Sequence, residues 1–102
     1  ELLTADVSFI SLGKLFSKIA EILSPTGDAV ILVKPQFEGT PKEAPGGFVK
    51  NEPTRQAILQ RVRAMAESAG FRVKSVADSL IAGRKGNQES FFHLTRSFTL
   101  LS

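Results

Sequence analysis

Residues 28–38 read DAVILVKPQFE. Ala29 to Val33 is an unbroken apolar run that stops at a lysine, and a proline follows at once. A continuous apolar run of this length reads as a strand of a parallel sheet covered on both faces. Pro35 has no N–H to give a neighbouring strand, so the ladder must end there. Val33 then stays in the core, Lys34 emerges at the carboxyl end of the strand, and Pro35 turns the chain outward. In open α/β sheets that edge is where ligands bind.

The flanking segments fit such a sheet. Leu2 to Val7 (LLTADV) is short, mostly apolar and compatible with a strand. Leu12, Leu15, Phe16, Ile19, Ile22 and Leu23 recur at helical spacing, with Lys14, Ser17, Lys18 and Glu21 on the other face. Ser11 suits an N-cap, and Ser24 to Gly27 (SPTG) ends the helix. Strand, amphipathic helix and apolar strand make a βαβ unit.

Residues 35–53 hold four prolines and three glycines and read as a loop. Its length exceeds the ~12–15 residues beyond which loops tend to be functional or disordered. A second helix is expected from Thr54 to Ala69, with Ala57, Ile58, Val62, Met65, Ala66 and Ala69 as its apolar stripe. Gly70 stands where a C′ glycine belongs. Arg55, Arg61 and Arg63 fall on the polar side. Phe71 to Asp78 reads as a strand, residues 79–88 as a glycine-bearing loop, and Glu89 to Arg96 as the last strand. The order is β-α-β-loop-α-β-loop-β.

With 102 residues the chain is one domain at most, and its 42% apolar and 23% charged residues are those of a globular protein. It has no cysteine, which excludes a disulfide framework and a cysteine metal site. No apolar run approaches the ~20 residues of a membrane span. The net charge of +3 suits a polyanionic partner and equally an unremarkable basic surface. The chain opens at Glu1 without a methionine, which reads as a processed or excised piece.

Three polar residues converge if the strands run as proposed. Asp6 lies near the end of the first strand and Lys34 ends the second. Glu89 starts the last strand, and it reaches the same edge if that strand runs antiparallel to the others. Each residue also has a plain reading: Lys34 as a solvated surface group, Asp6 as the cap of the next turn, Glu89 as a partner of Arg84 or Lys85. Other chemistries find little support. No G-x-G-x-x-G or Walker-type loop is present, and the single histidine, His93, reads as a packed side chain. No metal site is expected.

Three motifs carry a resemblance: DVSFISL from Asp6, VKPQFE from Val33 and KGNQE from Lys85. From Asp6 to about Arg96 the chain resembles the hemolysin-A-type (TlyA) family of the FtsJ-like RNA ribose 2′-O-methyltransferases. The resemblance implies a Rossmann-like fold that uses S-adenosylmethionine and a Lys-Asp-Lys-Glu catalytic set. Carried over by motif, Asp6, Lys34 and Glu89 supply the aspartate, the second lysine and the glutamate. The set's first lysine, the glycine-rich cofactor loop and the acidic residue for the cofactor ribose have no match. These cofactor-binding residues are expected upstream of Glu1, as is the family's small RNA-binding domain. The chain is therefore read as the C-terminal half of the catalytic domain. Its sheet is expected to be mainly parallel, with the last strand inserted antiparallel between the second strand and the Phe71–Asp78 strand.

The residue types suit that chemistry. A lysine can take the proton of a ribose hydroxyl if nearby positive charge and burial lower its pKa from about 10.4 toward neutrality. Asp6 and Glu89 would orient and tune it. Phe37, Lys42, Phe48, Lys50, Arg84 and Lys85 are the candidate RNA contacts, and the arginines of the second helix are expected to bracket phosphates. The implied partner is RNA, ribosomal RNA foremost, in the cytoplasm and without a membrane. An unpaired sheet edge predicts self-association of the isolated piece. The competing readings are a non-catalytic basic α/β module that binds RNA or a protein, and a hemolysin in the literal sense.

Overall fold

In the computed structural model, residues 2–6, 12–81 and 86–96 are described, Ala5 and Asp6 by their backbone alone. Strand β2 (Asp28–Val33) is central to the sheet. It pairs in parallel with β1 (Leu2–Asp6) on one side. On its other side it pairs antiparallel with β4 (Ser90–Arg96), which pairs antiparallel with β3 (Phe71–Asp78). The sheet order is β1-β2-β4-β3. Three strands run one way and the last is inserted against them, the topology expected from the sequence.

Helices α1 (Leu12–Ile22) and α3 (Glu52–Ser68) make the two crossovers between strands of like direction. Both crossovers step the same way across the sheet. Right-handed connections that step the same way put their helices on the same face. The core follows from this. Leu12, Phe16, Ile19 and Leu23 pack with Leu59, Val62 and Ala66 over Ala29, Ile31, Val33, Phe71, Val73, Phe92 and Leu94. The other face carries Val30, Leu32 and His93, all half-buried, and the exposed Phe91. β2 therefore alternates in burial instead of being sealed on both sides. The expectation of a strand covered on both faces does not hold among the described residues, because no described helix lies on the second face.

Several element boundaries also differ from expectation. α3 begins at Glu52, since Asn51 caps it by accepting the Thr54 N–H at 2.9 Å and Pro53 fills the first turn at no hydrogen-bond cost. It ends at Ser68, and Gly70 beyond the cap, with a φ of +94°, closes the last turn as a C′ glycine should. The buried stripe of α3 is Arg55, Ile58, Leu59, Val62 and Ala66, while Ala57, Met65 and Ala69 are exposed. Of the first expected strand, Leu2–Asp6 is described, and Val7 and Ser11 lie outside the described residues. Residues 35–53 are not a plain loop. They contain the short helix α2 (Pro35–Glu38) and a tight 3-10 turn at Pro45–Gly47.

The amino end of the sheet is closed by charge. The Arg96 guanidinium donates to the carbonyls of Ala20 and Leu23 at the carboxyl end of α1, where a cation is favoured. His93 Nε2 meets Asp28 Oδ1 at 2.7 Å. His93 is thus tied at the start of β2, away from the strand ends that matter for ligands.

Candidate active site

The carboxyl ends of β1, β2 and β3 share one edge with the amino end of β4. Asp6 pairs with Leu32, Val33 with Ser90, and Asp78 with Ser90. Lys34 follows β2 directly and Glu89 directly precedes β4. The backbone positions of Asp6, Lys34 and Glu89 are therefore gathered at this edge.

Pro35 opens α2 because its fixed φ suits a first helical position and its missing N–H is not needed there. The turn closes through Phe37 N–H to Lys34 O and Gly39 N–H to Pro35 O, both 2.9 Å. α2 lies close on α3 at Gly39, where an added Cβ would come within 2.9 Å of Ile58 Cδ1. Lys34 is half-exposed, and its Nζ sits 5.8 Å from the centre of the Phe37 ring. A cation over an aromatic face at an exposed site is worth about 0.5–1 kcal/mol. Phe37 itself is exposed beside the lysine.

Glu89 is buried, at 7% exposure. Its carboxylate accepts from Gln36 Nε2 at 2.7 Å. Its carbonyl accepts from Ser79 N–H at 2.8 Å and from Gln88 Nε2 at 2.9 Å, so both main chain and side chain are fixed. Gln36 is buried as well, and its Oε1 has no hydrogen-bond partner among the described residues. A buried acceptor left in that state costs about 1–3 kcal/mol.

The segment after α2 is strapped to this edge. Asn87, 2% exposed, accepts from Val49 N–H at 3.0 Å and donates to Gly47 O at 2.8 Å. Glu43 receives both Arg61 amino groups, at 2.7 and 2.8 Å, and the Thr40 N–H at 2.9 Å. The Arg61 hydrogen bonds, helped by Thr40, hold the Glu43 carboxyl down to about 2. Burial pushes the Glu38 carboxyl up.

Arg55 is also committed internally. It donates to Glu52 Oε1 at 2.6 Å and Oε2 at 3.0 Å, to Asp78 Oδ1 at 3.2 Å and to Ser90 Oγ at 3.0 Å. It locks the start of α3 to the edge ends of β3 and β4. The hydrogen bonds it donates to Glu52, ahead of the pull of Asp78, raise the Arg55 pKa above its ordinary value. The expectation that the helix arginines bracket phosphates therefore fails for Arg55 and Arg61. Arg55 is buried among partners, Arg61 is forked onto Glu43, and Arg63 lies 3.8 Å from Glu67.

Of the other candidates, Lys42 and Lys50 are exposed and Phe48 is half-buried. Arg84 and Lys85 lie outside the described residues. Gln36 and Asn87 were not singled out by the sequence, although both stand inside the quoted motifs. The available signal was a polar residue flanked by residues with structural duties. Among the described residues no group of His, Cys, Asp and Glu could hold a metal ion. None of the described helices is long and apolar enough to cross a membrane.

No protein-family model matches the chain. Curated relatives do. The chain is 37% identical over 95 residues to the 16S/23S rRNA (cytidine-2′-O)-methyltransferase TlyA of Mycobacterium tuberculosis, covering 92% of this chain and 35% of that protein. It is 36% identical over 95 residues to the candidate rRNA methyltransferase YqxC of Bacillus subtilis, covering 92% and 34%. A solved candidate hemolysin of Streptococcus thermophilus superposes with a TM-score of 0.90 at 38% identity, over 96% of this chain and 36% of that one. Over most of its length the chain is similar to the TlyA-type proteins. It spans about a third of the length of the curated TlyA and YqxC proteins it matches. The M1.HpyAVI–SAM complex superposes with a TM-score of 0.54 at 13% identity, over 98% of this chain and 44% of that one. That likeness concerns the fold alone, and it agrees with the mixed four-strand α/β sheet described above. The hemolysin name recurs in hemolysin A of Brachyspira hyodysenteriae, 34% identical over 92 residues, covering 89% of this chain and 38% of that protein.

Proposed function

We propose that this chain is the C-terminal part of the methyltransferase domain of a ribosomal RNA ribose 2′-O-methyltransferase, with Asp6, Lys34 and Glu89 as its catalytic residues. The observation that carries the reading is the meeting of these three backbone positions at the edge formed by the carboxyl ends of β1 and β2, in a chain similar in sequence to proteins named as such enzymes. S-adenosylmethionine, when bound, supplies an electrophilic methyl group. The described edge offers a lysine and a carboxylate, which fit a hydroxyl and its proton. It offers no glycine-rich turn for the cofactor, so we assign cofactor binding to the part of the protein that these residues do not include. The 102 residues alone are expected to be inactive.

In this mechanism Lys34 Nζ would take the proton of the ribose 2′ hydroxyl; the bound cofactor would supply the methyl group to that oxygen and keep the thioether left when its S–CH3 bond breaks. Glu89, held from behind by Gln36, sets the orientation of the lysine and the hydroxyl, and Asp6 does so from the β1 side. Much of the rate comes from holding the attacking oxygen in line. Phe37 offers a stacking face beside Lys34, and Phe48 a second one in the following segment. Lys42 and Lys50, with Arg84 and Lys85 beyond the described residues, supply phosphate contacts. The RNA substrate places the protein in the cytoplasm, with no membrane required.

The test is transfer of labelled methyl from S-adenosylmethionine to 16S and 23S rRNA by the full-length protein, with the product mapped as a 2′-O-methyl ribose. RNA binding without transfer would instead favour a non-catalytic module, and lysis of erythrocytes without transfer would favour a hemolysin.

A further inference from the structure

We propose that Gln36 is a positioning residue that acts through Glu89, an inference that rests on the catalytic reading of Glu89. Three observations carry it. The Gln36 amide is the only side-chain donor to the Glu89 carboxylate among the described residues, at 2.7 Å. The amide cannot drift, because Gln36 is buried in a turn that begins at Pro35 and is closed by two backbone hydrogen bonds. That same turn carries Lys34. One rigid unit thus sets both the lysine and the carboxylate across from it.

The third observation is the acceptor end. Gln36 Oε1 is buried with no partner among the described residues. A side chain present only to fill space would be better satisfied as an apolar group of the same length, since a half-paired buried amide is unfavourable. The donor end explains the amide: a buried carboxylate needs a hydrogen-bond donor to be satisfied and correctly aimed. The rival explanation is a latch that merely ties residues 35–53 to β4.

The experiment uses the full-length protein with S-adenosylmethionine and purified 16S and 23S rRNA. Gln36→Met should lower kcat about tenfold to a hundredfold, as a misplaced group does, with KM for cofactor and RNA unchanged. Gln36→Asn, which keeps the amide but withdraws it, should do the same and serves if the methionine variant folds poorly. In a Glu89→Gln background, Gln36→Met should cost no further activity, because the two act as a unit. An unchanged kcat, or losses that multiply independently, would overturn the inference and leave a latch. If the wild-type protein transfers no methyl group, the proposed function fails and thermal melting decides the coupling alone. A double variant whose melting loss is smaller than the sum of the single losses would keep Gln36 and Glu89 as a pair, and additive losses would remove it.

Discussion

At the scale of single residues, part of the charge at this edge builds the edge itself. Arg55 is a builder, since its guanidinium joins Glu52, Asp78 and Ser90. Arg55→Met keeps most of the packing and removes these charge-assisted bonds, so it should cost about 1–3 kcal/mol of stability in denaturant unfolding. Glu43 gives a pH test. Folding holds its carboxyl below the ordinary 4.5, at about 2. The Glu43–Arg61 contribution is therefore complete above pH 4.5 and lost as the pH falls through about 2. Amide exchange of residues 40–44 should accelerate in that window, and Glu43→Gln should abolish the pH dependence. Lys34 could be read from sequence because a charge and a proline ended an apolar run. Arg55 could not. Its partners Asp78 and Ser90 lie far along the chain, and helical spacing alone cannot tell a buried arginine from a solvated one.

At the scale of elements, the strands and helices were legible because each carried its own period and its own stop signal. Gly70 shows how far that goes. Its place after the last apolar residue of α3 announced a C′ glycine, and its φ is +94°. Gly70→Ala should cost about 1–2 kcal/mol, the penalty of a left-handed backbone for a residue with a Cβ, measured by chemical denaturation. The segment 35–53 was the least legible. Prolines and glycines suggested irregular chain, whereas α2, the Pro45–Gly47 turn and the Asn87 clamp give it a fixed course. Such order comes from contacts distant in sequence. Asn87→Ala should remove both clamp bonds, speed amide exchange at Val49 and weaken RNA binding more than it lowers the melting temperature.

At the scale of the whole molecule, the decisive fact is a sheet whose helices share one face. The continuous apolar run of β2 suggested burial on both sides, yet Val30 and Leu32 are only half-buried and Phe91 is 41% exposed. The outer edge of β1 pairs with no strand among the described residues, and Leu2 on that strand is 66% exposed. An open edge next to apolar surface favours association. The isolated 102 residues should therefore dimerise or aggregate, and a monodisperse, thermally stable monomer in sedimentation would contradict that. The central claim is chemical, and it rests on Lys34. Methyl transfer to rRNA by full-length Lys34→Ala and Lys34→Arg, measured beside S-adenosylmethionine binding, tests it most directly. The account predicts that both variants lose transfer while cofactor binding is spared, since a guanidinium stays protonated and cannot accept the hydroxyl proton. Wild-type rates in both variants, or a loss of RNA affinity that fully accounts for the loss of transfer, would contradict it.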